Sequence, residues 1–191
     1  REKEGDLVWV GNWGDDERTK ELHEFLINPV KNLKLKAKVY GVRYPPEAIA
    51  ALAEAEIEYG GWLPNYKVPE VFAKYRLTVH VPRGPYVKTL PGIPTIRPFE
   101  ALACGIPMIS APWSDAEHLF TIGKDFLMVN NGDEMIKAIQ NLLAGEDGKL
   151  LAQHGVETIS KKHTCAHRVD QLLRICDQLR INNLSTQLEA S

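Results

Sequence analysis

The chain has 191 residues, 44% of them hydrophobic and 25% charged, with a formal net charge of −2. That composition excludes a disordered segment and supplies one sizeable core. The near balance of charge excludes a general pull toward nucleic acid or an anionic membrane, so any anion site must be assembled from a few local basic side chains.

In chain order, the apolar run DLVWVGNW, rich in β-formers, ends at Gly11-Asn12 and reads as a strand; DDERTKELHEFLINPV follows with Leu22, Phe25 and Leu26 at helical spacing. Asp15, Asp16 and Glu17 read as the acidic first turn of that helix. KAKVYGV repeats the strand signal. PPEAIAALAEAE opens on Pro45-Pro46 and continues as a helix, because proline is tolerated where a first-turn N–H is unpaired anyway. IEYGGWLP and VPEVFAKYR make a third strand and a short helix, and LTVHVPR a fourth strand, followed by the Gly/Pro-rich GPYVKTLPGIP. TIRPFEALACGIPMIS then runs from a helix, with Glu100 at its head, through a turn at Gly105-Ile106-Pro107 into the strand PMISAPW. FLMVN is a short strand and DEMIKAIQNLLAG a helix. Strands alternating with helices at this spacing predict a doubly wound parallel sheet covered on both faces, an α/β fold.

Residues 1–145 form that domain, 146–184 a helical extension of it, and the polar 185–191 a tail expected to fray. Within the extension, Val169, Leu172, Leu173, Cys176 and Leu179 share one helix face behind Thr164 as N-cap, which predicts that this helix packs back on the domain. Cys104, Cys165 and Cys176 are an odd, widely spaced set without a Cys-x-x-Cys pair, which argues for reduced thiols and a cytoplasmic setting. No run approaches the ~20 apolar residues of a membrane span. A chain that opens on Arg1, with a strand from Leu7, reads as a piece cut at a domain boundary.

Ligands of open α/β sheets bind beyond the carboxyl ends of the strands, so the loops there carry the candidates. GNWGDDER, after the first strand, offers Gly11 and Gly14, on either side of Asn12 and Trp13, for close backbone approach and the N-terminal amides of the next helix for an anion, or is a plain βα turn; it is neither Gly-x-Gly-x-x-Gly nor a P-loop. In GGWLPNYKVPE, Trp62 and the adjoining Leu63 flank a base or sugar, or Trp62 is a core residue. The fourth loop and the helix after it hold Arg83, Lys88, Thr95 and Arg97 with no acid before Glu100. That is either a diphosphate site of Arg and Lys contacts or a solvated loop. His163 and His167, four apart, have metal-pair spacing without a third ligand.

GWLPNYKVPEVFAKYRLTVHV, the glycine/proline loop, RPFEALACGIPMIS and NNGDEMIKAIQNLL, in that order, resemble the nucleotide-sugar-binding C-terminal half of GT-B glycosyltransferases. RPFEALACG and HTCAHRVDQLL bring the chain closest to the CgeB-like, glycosyl transferases family 1 group. The resemblance covers Leu7 to about Leu179. It implies a Rossmann-like domain that binds a nucleotide-diphosphate sugar, needs no metal or other cofactor, and works with an N-terminal acceptor domain absent from this chain. The acceptor is unspecified: a saccharide, a protein or a small molecule. It also implies that Glu100 accepts hydrogen bonds from the ribose hydroxyls, beside a diphosphate faced by the Gly11 loop and Arg18. The chain departs from the pattern at Gly92, where retaining members carry a second glutamate. Catalytic residues therefore stay unassigned, and a non-catalytic nucleotide- or effector-binding module remains the alternative.

Overall fold

The computed structural model describes residues 3–14, 17–90 and 92–189. Six strands form one wholly parallel sheet in the order β3-β2-β1-β4-β5-β6. They are β1 (Gly5–Val10), β2 (Ala37–Tyr40), β3 (Glu58–Tyr59), β4 (Tyr75–His80), β5 (Met108–Ser110) and β6 (Leu127–Met128). The order reverses between β1 and β4. Val8 lies opposite Thr78 there, and the loops leaving the two strands diverge to open a crevice at their carboxyl ends.

The central strands β1, β4 and β5 are buried almost throughout, because helices cover both faces there, whereas β2 alternates and the edge strand β3 is exposed. On one face Leu7, Trp9, Val39, Leu77, Val79 and Ile109 pack under a first helical layer. That layer comprises α1 (Thr19–Leu22) and α2 (Asn28–Leu33), joined by a π-helical turn His23–Ile27, with α3 (Pro46–Glu54) and α7 (Gly132–Ala144). Pro29 has no N–H to donate to the preceding turn, and the wider π turn accommodates that missing bond. On the other face Val8, Val10 and Met108 meet α4 (Val68–Ala73), α6 (Ile96–Ala103) and the rings of Trp113, Phe120 and Phe126. A short α5 (Gly84–Lys88) occupies the Gly/Pro-rich stretch in which no helix is predicted.

α6 ends as the sequence predicts. Gly105 takes φ 64, and the N–H groups of Gly105 and Ile106 close on the carbonyls of Leu102 and Ala101 before β5 begins. Its start differs: the helix begins at Ile96, so Glu100 stands in its second turn and gains little from the N-terminal dipole. α8 (Asp147–Lys162) packs back on α6, with Gly155 so close that a Cβ there would lie 2.6 Å from Leu102 Cδ2. Asp125, fully buried, accepts from Thr121 N, Thr158 Oγ1 and His154 Nδ1 and so clips α8 to the turn before β6.

α9 (Cys165–Glu189) behaves otherwise. Thr164 Oγ1 meets His167 N at 3.5 Å, at the predicted cap position, but Val169, Leu172, Leu173 and Leu179 are exposed and do not pack back on the domain. Helical period places these residues on one stripe but does not specify what covers it. The helix backbone also continues through residues 185–189, read from sequence as tail, while 190 and 191 lie outside the described residues. Asp15 and Asp16 lie outside them too, and Glu17 precedes α1.

Candidate functional site

A cavity of about 190 Å³ opens at the carboxyl ends of β1 and β4, walled by the loop after β1, the loop after β4 and the start of α6. Its described lining contains Arg18, Arg43, Arg83 and Arg97, with His80 and Thr95, and no carboxylate.

Arg18 has only 8% of its surface exposed. Its Nε donates to Trp13 O at 3.3 Å, its Nη1 to Val81 O at 2.7 Å and its Nη2 to Asn12 O, while the guanidinium lies 5.2 Å above the Trp9 ring. The fork of N–H groups thus ties the β1 loop to the end of β4. Burial, with Arg83 and Arg97 adding repulsion, lowers its pKa to about 10, so it stays cationic at neutral pH. Asn12 is likewise architectural, because its Oδ1 accepts from Val42 N at 3.0 Å and joins the β1 and β2 loops. Tyr44 donates to Gly11 O at 2.8 Å across the same junction.

His80, the last residue of β4, is 4% exposed. Ser110 Oγ donates to Ala111 O at 2.7 Å and therefore accepts from His80 Nδ1 at 2.9 Å. The ring proton then sits on Nδ1, and Nε2 accepts from the Thr95 hydroxyl at 3.1 Å. Burial first, then Arg18 and Arg97, push His80 down to about 3, so the ring is neutral. With both nitrogens engaged and so low a pKa, it cannot serve as a general base near pH 7.

Arg97 sits in the first turn of α6 and donates to Glu100 Oε2 at 2.5 Å; both side chains are partly buried. Arg83 pairs with Glu17 at 2.8 Å. Arg43, at φ 60, has no partner among the described residues. The cavity thus unites six of the residues singled out from the sequence: Gly11, Asn12, Arg18, Arg83, Thr95 and Arg97. Glu100 is attached to it through Arg97.

The structure does not bring Trp62, Leu63 or Lys88 to this cavity. Trp62 is 72% exposed, which removes its core reading. Lys88 lies on a separate groove with Glu21, Glu24 and Pro112. Sequence reasoning misses Arg43 and His80. For His80 the signal is present, a lone polar ring inside the buried run LTVHV at the carboxyl end of a strand.

Gly92 is buried with φ 91, and a Cβ there would lie 2.5 Å from the Cβ of Ala116. The backbone at this position has no room for the second glutamate of the retaining pattern, since any side chain there meets Ala116. The histidine pair is also accounted for without metal: His163 Nε2 donates to Leu119 O and its Nδ1 accepts from Arg168, while His167 Nδ1 contacts Thr164 Oγ1. Among the described residues no three His, Cys, Asp or Glu cluster as metal ligands, and no helix is long and apolar enough to cross a membrane.

A family model described as Glycosyl transferase-like matches residues 18–174. No curated protein matches the sequence. Among solved structures, sucrose-phosphate synthase from Thermosynechococcus elongatus is 15% identical over 94% of this chain and 46% of that chain, with a TM-score of 0.74. HepE from Anabaena, in complex with UDP-glucose, is 14% identical over 92% of this chain and 49% of its own, with a TM-score of 0.71. T4 phage BGT, in complex with UDP and Mn2+, is 17% identical over 84% and 44%, with a TM-score of 0.65. At these identities the likeness carries the fold: the six-stranded parallel sheet with flanking helices matches the Rossmann-like domains of the GT-B architecture. The chain spans about half the length of each of these structures.

Proposed function

The chain belongs to the glycosyl transferase-like family, and from that premise we propose that it is the donor-binding domain of a glycosyltransferase, holding a nucleoside-diphosphate sugar with its diphosphate in the cavity between β1 and β4. The observation that carries this reading is the cavity wall, with four arginines and no carboxylate among its described residues, at the point where the strand order reverses. Transfer breaks the bond between the anomeric carbon and the diphosphate oxygen, and the electron pair leaves with the diphosphate. Guanidinium groups fixed before the reaction stabilise that growing charge without reorganising. In this reading Arg83 and Arg97, paired in the structure with Glu17 and Glu100, contact it directly, Arg18 contributes a buried cation and holds the loop, and the Gly11 backbone permits close approach.

Glu100, held by Arg97, accepts the ribose hydroxyls, and exposed Trp62 with Leu63 provides a face for the base. Asn12 lines the same cavity, with its Oδ1 engaged by Val42 N, whereas Lys88, on its separate groove, has no ligand contact in this arrangement. UDP, present in the HepE and T4 phage BGT complexes, is the first nucleotide to test. The acceptor site, for a saccharide, protein or small molecule, belongs to a further domain, and the CgeB-like resemblance of RPFEALACG names the subgroup we favour.

One observation favours the alternative, a non-catalytic nucleotide- or effector-binding module: the crowding at Gly92 excludes the second carboxylate. Thermal shift and titration against UDP, UDP-glucose, GDP, ADP, CDP and TDP at millimolar concentration test donor binding. A saturable response to at least one nucleotide is expected, with Kd in the micromolar to millimolar range, roughly 4 to 8 kcal/mol; no response to any of them rejects the reading. Residues 1–191 alone should bind donor without transferring sugar, and robust turnover by that chain would refute the assignment of the acceptor site elsewhere.

A further inference from the structure

We infer that His80 is a positioning residue that keeps the N-terminus of α6 open to the donor's phosphate by drawing the Thr95 hydroxyl away from it. This rests on the reading of the cavity as a diphosphate site. Thr95 occupies the N-cap position of α6, with φ −81 and ψ 165, where a threonine hydroxyl ordinarily accepts from the N–H of the second or third helical residue. The third residue is Pro98, which has no N–H, so Arg97 N is the natural donor. Thr95 forms no such cap. Its Oγ1 lies 3.1 Å from His80 Nε2 instead.

The consequence falls on the helix end. The first N–H groups of a helix have no intrahelical acceptor, and among the described residues those of Ile96 and Arg97 have none elsewhere. Both residues line the arginine-walled cavity. Two amides, the positive end of the α6 dipole and the guanidinium cluster therefore converge on one space.

The choice of histidine is explained by the same geometry. A phenyl ring fills similar volume at the end of β4 with no polar atom to satisfy. A buried imidazole needs two partners, and Ser110 fixes its tautomer so that Nε2 can only accept. What the ring gains over an apolar one is its hold on Thr95.

The test uses inorganic pyrophosphate and UDP as probes, with Kd from calorimetry and backbone amide shifts from NMR. In the original protein, pyrophosphate is expected to move the amides of Ile96 and Arg97. His80→Phe should weaken pyrophosphate and UDP about tenfold, because the freed hydroxyl turns to cap the helix. Adding Thr95→Val to His80→Phe should recover most of that loss, since no hydroxyl remains to close the site. A folded double variant that binds no better than His80→Phe overturns the inference, as a merely structural His80 predicts no recovery. His80→Gln, whose amide oxygen can accept from Thr95, should bind within about threefold of the original, and a tenfold loss there counts against it. If any of these variants fails to fold, the amide shifts of the original protein still decide. Movement at Gly11 and Arg83 without movement at Ile96 and Arg97 refutes the role of the helix end while leaving the diphosphate reading intact. No movement at any cavity amide refutes the diphosphate reading itself.

Discussion

Replacing Arg18 by lysine keeps the charge and removes the fork. In the folded protein the guanidinium serves three carbonyls, those of Asn12, Trp13 and Val81, and stacks on Trp9. A lysine ammonium on its flexible stem reaches one of these carbonyls well, which leaves two without their charged donor. Hydrogen bonds to charged groups contribute about 1.5–3 kcal/mol each, and water entering the opened cavity offsets part of the loss. Weaker stacking on Trp9 adds about 0.5 kcal/mol or more. The net cost is about 2–4 kcal/mol, or about 4–15 °C in Tm for a domain of this size. Urea and thermal unfolding of Arg18→Lys at pH 7, without nucleotide, measure it, with Arg18→Met as the variant that loses all three bonds and falls further. Were Arg18 chiefly a phosphate ligand, Arg18→Lys would keep the original unfolding midpoint and lose only UDP affinity. A stability change under about 0.5 kcal/mol would refute the clamp.

Glu100→Gln should weaken nucleotide binding less than Glu100→Ala, with losses of about 1–3 kcal/mol, and the alanine variant should stop distinguishing ribose from 2′-deoxyribose nucleotides; a preserved ribose preference in calorimetry refutes the ribose role. Gly92→Glu should destabilise the fold by about 1–3 kcal/mol rather than restore a catalytic carboxylate, because its Cβ meets Ala116 at φ 91; an unchanged thermal midpoint would contradict this. His80, pushed down to about 3 from an ordinary 6.5, binds its proton more readily in the unfolded chain than in the folded one. Its share of stability is therefore full above about pH 6.5 and is lost as pH falls toward 3, at about 1.4 kcal/mol per unit. Urea midpoints measured from pH 7 to pH 4.5 should fall more steeply for the original protein than for His80→Gln, and parallel curves would refute the assignment.

Much of the fold was legible because burial writes itself into residue period. The runs LVWV and LTVHV are buried on both faces since helices cover both, and the glycine that ends α6 marks the turn into β5. The same local grammar placed Arg83, Thr95, Arg97 and Glu100 near one another, because they lie within one loop and the helix it feeds. It could not reach across the sheet. Arg18 meets Val81, and His80 meets Ser110 as well as Thr95, only because β1, β4 and β5 are neighbours in the sheet, and sequence order alone does not state that adjacency. Period also misjudged α9, whose stripe of Val169, Leu172, Leu173 and Leu179 is real but exposed, since amphipathicity records a face and not its partner. The sequence by itself determined the strands, the longer helices, the turn that ends α6 and the local concentration of basic residues. The tertiary structure decided which of those cations face a cavity, that Arg18 is committed to carbonyls, and that a buried neutral histidine governs the hydroxyl at the mouth of α6, because each depends on distances between segments far apart in the chain.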